Sequence, residues 1–317
     1  MLERYLLAWL LAICGVAFWW PDVFGATLDP FVASKRAIPW LLAATMFAVG
    51  TMMPRDEVRQ VVKRWPHVLF GTAIQYSVMP LLGWAAARLC GLGQDYQIGL
   101  ILVGCVPGAM ASNVITLNAR GHTSYSVSLT TASTLLSPLI VPFTLSATLG
   151  QSIPLDRLQV AVDLLLQVVL PVLGGYAVAR FTPWGERWGV RLGPVVANCV
   201  ILWIIATVVA LNRTRLSAGS LELLVPLLAV NLLGYIAGYS AAALIGQPES
   251  MRRALTIEVG MQNAGLGTSL ALQYFKDQPA ATVPTALYTF GCVFTATILA
   301  RWWATGKRGA SVPRNPE

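Results

Sequence analysis

The sequence predicts an all-α polytopic membrane protein: ten transmembrane helices arranged as two inverted five-helix repeats, with discontinuous, crossing fourth and ninth helices. Three observations predict this. Of the 317 residues, 56% are hydrophobic and only 11% are charged, and the mean hydropathy is +0.64, values that soluble domains rarely reach. Apolar runs of roughly 17–25 residues follow one another along nearly the whole chain, each long enough to cross a hydrocarbon core of about 30 Å as a helix. Two of these runs, one in each half, are interrupted by Gly, Pro and polar residues at corresponding positions.

Taken in order, the predicted spans cover residues 4–20, 37–53, 67–90, 95–119, 123–149, 157–180, 190–211, 221–245, 250–275 and 281–304. The first contains LLAWLLAICGVAFWWP, which lacks a small-residue cleavage site before Pro21 and so reads as a span rather than a cleaved leader. Alternating sides along the chain puts Lys35, Arg36, Arg88, Arg157, Arg213, Arg215 and Lys276 outside. The more numerous remaining Lys and Arg, including Arg4, Arg55, Arg64, Arg120, Arg252, Arg253, Lys307, Arg308 and Arg314, fall inside. The positive-inside rule then places both termini in the cytoplasm and the chain, multi-pass, in the cell (inner) membrane. Trp19, Trp20, Trp40, Trp65, Trp184, Trp188, Trp302 and Trp303 lie near predicted span ends, as interfacial anchors do.

The formal net charge of +8 does not imply a nucleic-acid partner, because the cations sit in short loops and form no basic stripe. Cys14, Cys90, Cys105, Cys199 and Cys292 have neither disulfide-framework nor zinc-site spacing, and His67 and His122 stand alone. No paired carboxylates, zinc motif or serine with a plausible base occurs in the spans, so no catalytic residues and no enzyme are predicted.

The fourth span reads GLILVGCVPGAMASNVITLNARG, in which Pro107 removes a backbone donor and Gly104 and Gly108 relax the chain. The ninth reads ALTIEVGMQNAGLGTSLAL, with Gly260 and Gly265 around Gln262 and Asn263. Aligning Val103-Gly104 with Val259-Gly260 sets the two interruptions about half a chain apart. The halves, residues 1–150 and 151–317, then carry five spans each. An odd number forces them to run in opposite directions, and paired interruptions in inverted repeats point to a transporter's binding site.

Polar residues within the spans collect around those breaks: Gln75; Ser112, Asn113 and Thr116; Ser126, Ser128, Thr130 and Thr131; and Glu258, Gln262 and Asn263. An ionised carboxylate at mid-bilayer costs at least about 2.5–3.5 kcal/mol, so Glu258 calls for a cation or a proton. The set is dominated by oxygen donors, which suits a hard cation. Ser126 and Thr130 stand four apart and share a helix face. Asp163 is expected at the interface, and Glu222 at the head of the eighth span, where it complements the helix dipole.

Two stretches, GAMASNVITLNARGHTSYSVSLTTASTLLSPL (108–139) and IEVGMQNAGLGTSLAL (257–272), resemble the bile acid:sodium symporter family in its bacterial form. The resemblance implies a panel domain (about 1–55 plus 155–212) and a core domain (about 66–150 plus 220–305), with the broken helices crossing in the core. It implies two sodium ions and no organic cofactor. The first ion would take Ser112, Asn113, Ser126, Thr130 and Glu258. The second would take Glu258, Gln75, Gln262 and the carbonyls of Val259 and Met261. Asn263, Met110, Pro107, Gly108 and Val293 would face the substrate.

Bile-acid-binding relatives read Gly-Gly-Thr-Ala-Ser-Asn where this chain has residues 108–113 as GAMASN, and His-Asn where it has Cys292-Val293. Loss of those polar groups points to a small organic anion such as a keto acid ahead of a bile acid. The implied activity is sodium-coupled symport by alternating access across the lipid bilayer, with no protein partner indicated. An arsenite-type efflux permease using Cys105, and a passive channel or receptor, are the alternatives.

Overall fold

The computed structural model describes residues 6–25, 29–150, 155–217 and 221–305; Arg4, Lys307, Arg308 and Arg314, used in the charge comparison, lie outside the described residues. Among the described residues every regular element is helical. The helices are α1 (Leu6–Phe24), α2 (Pro30–Ala33), α3 (Ile38–Thr51), α4 (Glu57–Lys63), α5 (Trp65–Leu89), α6 (Gln94–Cys105), α7 (Ala111–Asn118) and α8 (Thr123–Leu149). They continue as α9 (Arg157–Leu164), α10 (Leu170–Phe181), α11 (Pro183–Leu211), α12 (Arg213–Ser217), α13 (Leu224–Leu244), α14 (Glu249–Gly260), α15 (Ala264–Tyr274) and α16 (Thr282–Thr305). A π-helical stretch, Leu165–Val169, joins α9 to α10.

Seven described helices are long and apolar enough to cross a membrane, and Ala8–Phe24 is a shorter apolar one. The two interrupted segments are not among them, because each is split into short pieces, of 12 and 8 residues in α6 and α7 and of 12 and 11 in α14 and α15. Large apolar side chains face outward on many helices, Leu89, Phe181 and Leu244 among them. Such exposure fits a lipid solvent. Trp19, Trp40, Trp65, Trp184, Trp188 and Trp302 are exposed near helix ends as expected. Trp20 and Trp303 instead pack inward, against Phe31 and against Tyr239 and Arg253 respectively.

Two groups of helices form. In one, α3 packs on α10 and α11, and α11 on α1; in the other, α5 packs on α6, α8 and α13, α13 on α14, and α16 on α6 and α15. Each group has helices that meet through glycine. A Cβ on Gly50 would stand 2.0 Å from the Val172 carbonyl oxygen, and one on Gly104 would stand 2.3 Å from that of Met79. Small residues of this kind let membrane helices touch backbone to backbone. Gly104 therefore does not loosen the fourth span, as expected from sequence, but packs α6 on α5. Gly260 likewise ends α14 in helical conformation, its bare Cα facing the ring of Tyr235.

Candidate functional site

The interruptions lie at residues 106–110 and 261–263. Val106 precedes Pro107 and is driven to an extended conformation, φ −78° and ψ 158°, which stops α6. No proline breaks α14, yet Met261 is extended as well, with φ −110° and ψ 107°. The reason is mutual pairing. The Ala109 amide donates to the Met261 carbonyl at 2.9 Å and the Asn263 amide to the Pro107 carbonyl at 2.8 Å. Gly108 and Gln262 thus form an isolated antiparallel bridge, so backbone groups freed by unwinding are satisfied inside the protein, as hydrocarbon demands. Pro107 and Gly108 of the predicted substrate set hold the crossing itself and are buried.

Side chains that sequence inspection missed brace the second break. Asn231 on α13 donates Nδ2 to the Gly260 carbonyl at 2.8 Å, and the Tyr288 hydroxyl donates to the same oxygen at 2.9 Å. A lone Asn in the apolar run LVPLLAVNLLGYIAGY was the available signal. The broken segments also meet at a second place, where His122 donates its amide to the Ser250 carbonyl at 2.8 Å and Arg253 Nη1 reaches the Ala119 carbonyl at 2.9 Å. Arg253, counted among loop cations, is 3% exposed inside α14. Its guanidinium also pairs with Glu249 at 3.0 Å and so is committed away from Glu258.

Glu258 is 1% exposed, two residues before the end of α14. Ser112 Oγ, from the first turn of α7, donates to Oε2 at 2.7 Å; Thr130 Oγ1, from α8, lies 2.8 Å from both carboxylate oxygens. The Ser126 carbonyl at 3.0 Å and Asn113 Oδ1 at 3.4 Å also surround Thr130 Oγ1. One hydroxyl proton cannot serve four acceptors. The cluster is therefore rich in oxygen and poor in hydrogen. Among the described residues no Lys, Arg or His forms an ion pair with Glu258. Ser112, Asn113, Thr130 and Glu258 converge as predicted, but Ser126 contributes its carbonyl, because its hydroxyl pairs with Thr116 at 3.3 Å.

Of the second predicted set, hydrogen bonds link Gln75, Gln262 and the Val259 carbonyl. Gln75 Nε2 donates to Gln262 Oε1 at 2.8 Å, and Gln262 Nε2 donates to the Val259 carbonyl at 2.8 Å. Met261 uses one carbonyl lone pair in the crossing, which leaves the other. Gln75 Oε1 is buried with no partner. Among the predicted substrate residues, Met110 and Val293 are half-buried, as is Asn263, whose Oδ1 caps α15 by accepting the Leu266 amide at 3.2 Å. Ser128, included in the polar constellation, turns away and donates to Glu57 on α4 at 2.9 Å. Cys105 lies 3.6 Å from the hydroxyl of Thr148.

A family model described as the sodium bile acid symporter family matches residues 39–219. The chain belongs to the sodium bile acid symporter family. It is 31% identical over 296 residues to a Bacillus subtilis protein named "Uncharacterized sodium-dependent transporter YocS", covering 93% of this chain and 89% of that one. It is 30% identical over 295 residues to the rice chloroplastic "Probable sodium/metabolite cotransporter BASS1", covering 93% and 71%. It is 28% identical over 290 residues to the mouse "Ileal sodium/bile acid cotransporter", covering 87% and 80%. As a member of a sodium symporter family the chain is a membrane transport protein, not an enzyme.

Proposed function

We propose that the protein is a sodium-coupled symporter of a small organic anion, working by alternating access, with two sodium ions as co-substrates. The observation that carries this is Glu258: a buried carboxylate without a basic partner among the described residues, ringed by more oxygen acceptors than protons. Gln75 Oε1, in the second set, is buried and unpartnered as well. Ser112, Asn113, Thr130, Glu258 and the Ser126 carbonyl hold the first ion. Gln75, Gln262, Glu258 and the Val259 and Met261 carbonyls hold the second. Half-helix carboxyl ends favour these cations, while the amino ends of α7 and α15 favour an anion near Asn263, Met110 and Val293. Ion binding lowers the cost of admitting that anion, which is the coupling.

The seven long helices, Ala8–Phe24 and the two interrupted segments together support ten spans in two inverted repeats, 1–150 and 151–317. The helix group of α1, α3, α10 and α11 supports the panel domain, and the group of α5, α6, α8 and α13–α16 the core. Polar bridges between the groups gather at one end. Gln167 and Gln273 exchange amide hydrogen bonds of 3.0 and 3.1 Å, the Tyr274 hydroxyl donates to Asp163, and Asn212 donates to Thr282 at 2.9 Å. Asp163, expected at the membrane interface, is the acceptor that joins α9 to Tyr274. The charge comparison assigns that end to the outside and both termini to the cytoplasm, so the bridges close the outer entrance in an inward-facing state of an inner-membrane carrier.

Half-buried Met110 and Val293 offer apolar surface where bile-acid binders carry polar groups, which favours a small carboxylate such as a keto acid over a bile acid. The test is uptake of labelled monocarboxylates and of a bile acid into sealed vesicles holding the purified protein. An inward sodium gradient should drive monocarboxylate above its external concentration, and Glu258→Ala should abolish this. Equilibration that ignores the gradient would mean a passive channel.

A further inference from the structure

Three buried side-chain oxygens or nitrogens lack a partner among the described residues: Thr72 Oγ1, Gln75 Oε1 and Gln247 Oε1. Two of them share α5, three residues and so about one helical turn apart on the same face. Gln75 is already assigned to the second ion in the proposed function. Thr72 is assigned to nothing.

The idle hydroxyl is unusual for this molecule. Outside the ion cluster, many buried Thr and Ser on the spans bond back to their own helix: Thr45 to the Leu41 carbonyl, Thr207 to Trp203, Thr256 to Arg252, Thr268 to Ala264 and Ser137 to Thr134. That return bond is the ordinary fate of such a hydroxyl. Thr72, 4% exposed, makes none. An unmade buried hydrogen bond costs about 1–3 kcal/mol, and here two such groups sit in one turn. The turn is pressed against the elements that carry the first ion's ligands. A Cβ on neighbouring Gly71 would stand 2.4 Å from Leu129 Cδ2 and 3.0 Å from Leu255 Cδ1, on the α8 and α14 segments that hold Thr130 and Glu258.

We infer that Thr72 Oγ1 is a further oxygen ligand for the cation held at Gln75, so that α5 contributes two ligands to the second ion rather than one. The inference rests on the sodium-symport reading. A hydroxyl and an amide oxygen, both neutral and hard, suit a monovalent alkali cation whose charge is balanced by Glu258.

The test is sodium titration of the purified protein in detergent, without organic substrate, read as thermal stabilisation against an N-methylglucamine background. Thr72→Val keeps the shape of the side chain and removes the hydroxyl; Thr72→Ser restores the hydroxyl. Thr72→Val should raise the half-saturating sodium concentration about tenfold, roughly the loss of one polar contact, with a melting temperature at zero sodium no lower than the parent's, since the unmade hydrogen bond goes with the hydroxyl. Thr72→Ser should titrate close to the parent protein. Should Thr72→Val prove unstable, Thr72→Ala against Thr72→Ser gives the same comparison. A Thr72→Val titration matching the parent, while Gln75→Ala is shifted and Glu258→Gln is flat, would overturn this inference alone and leave the hydroxyl to a buried water. A parent protein that does not respond to sodium, or a Glu258→Gln variant that still does, would overturn the symport reading with it.

Discussion

A Cβ on Gly108 would stand 2.1 Å from Oε1 of Glu258, so the first break presses bare backbone onto the carboxylate of the second. Glycine is required there for contact, not for an unusual backbone angle. Since Ser112 and Thr130 hold the Glu258 carboxylate and the bridge to Gln262 holds Gly108, Gly108→Ala should cost about 1–3 kcal/mol of stability, as overpacking does. Sodium-dependent uptake should be lost in the fraction that still folds. Thermal unfolding and vesicle uptake check this; normal uptake would mean that Glu258 relocates without consequence.

Asn231 is expected to matter through the break it braces. Asn231→Leu removes the Nδ2 bond to the Gly260 carbonyl and leaves Thr295 without its 2.7 Å acceptor. The cost should be about 1–3 kcal/mol, with weaker sodium binding, because Gly260 adjoins the Val259 and Met261 carbonyls. An unchanged sodium titration would detach the brace from ion binding.

How legible was this in the sequence? Proline alone was a poor guide to the breaks. Pro80, Pro138, Pro142 and Pro194 all lie inside continuous helices, whereas α14 ends without one. A break persists where unwound backbone finds a partner, and that partner lies about half a chain away, out of reach of any local pattern. Polarity was the better signal, since oxygen-bearing side chains in apolar runs located Glu258, Ser112, Asn113, Thr130, Gln75 and Gln262. The side-chain direction of Ser126 was not legible, because a helical hydroxyl can turn to its neighbour Thr116 while its carbonyl serves the cluster. Thr72 and Asn231 were passed over as isolated polar residues, and Glu57 because it falls in a charged loop that resembles any other.

Glu57 gives a pH prediction. It is 1% exposed on α4, outside the long helices, and burial raises its carboxyl to about 7, against the lowering effects of the Ser128 hydroxyl and Arg64 and with Asp56 adding to the rise. At low pH the folded and unfolded chains both hold the proton. As pH rises, the unfolded carboxyl ionises first, near its ordinary 4.5, while the folded one keeps its proton to about 7. Stability therefore falls across that window and levels off above it. Glu57→Gln should flatten the decline and leave the variant more stable than the parent above pH 7, read as melting temperature against pH. Parallel curves would mean that Glu57 does not titrate there.

The Gln167–Gln273 pair tests alternating access. Both amides must part if the outer entrance opens. In a background with the native cysteines replaced, Gln167→Cys with Gln273→Cys, bridged by a short bifunctional thiol reagent that a reductant can cleave, should reduce uptake to background and recover it on cleavage. Full transport by the bridged protein would show that these segments need not separate.

On the proposed reading Glu258 binds sodium together with Ser112, Thr130 and the crossing. Direct binding of radioactive sodium to the purified protein, parent against Glu258→Gln, tests it without any assumption about the substrate. The expected result is saturable binding by the parent that Glu258→Gln reduces at least tenfold, on the order of the loss of a charge-assisted contact. Equal binding by the two proteins would mean that Glu258 is no sodium ligand.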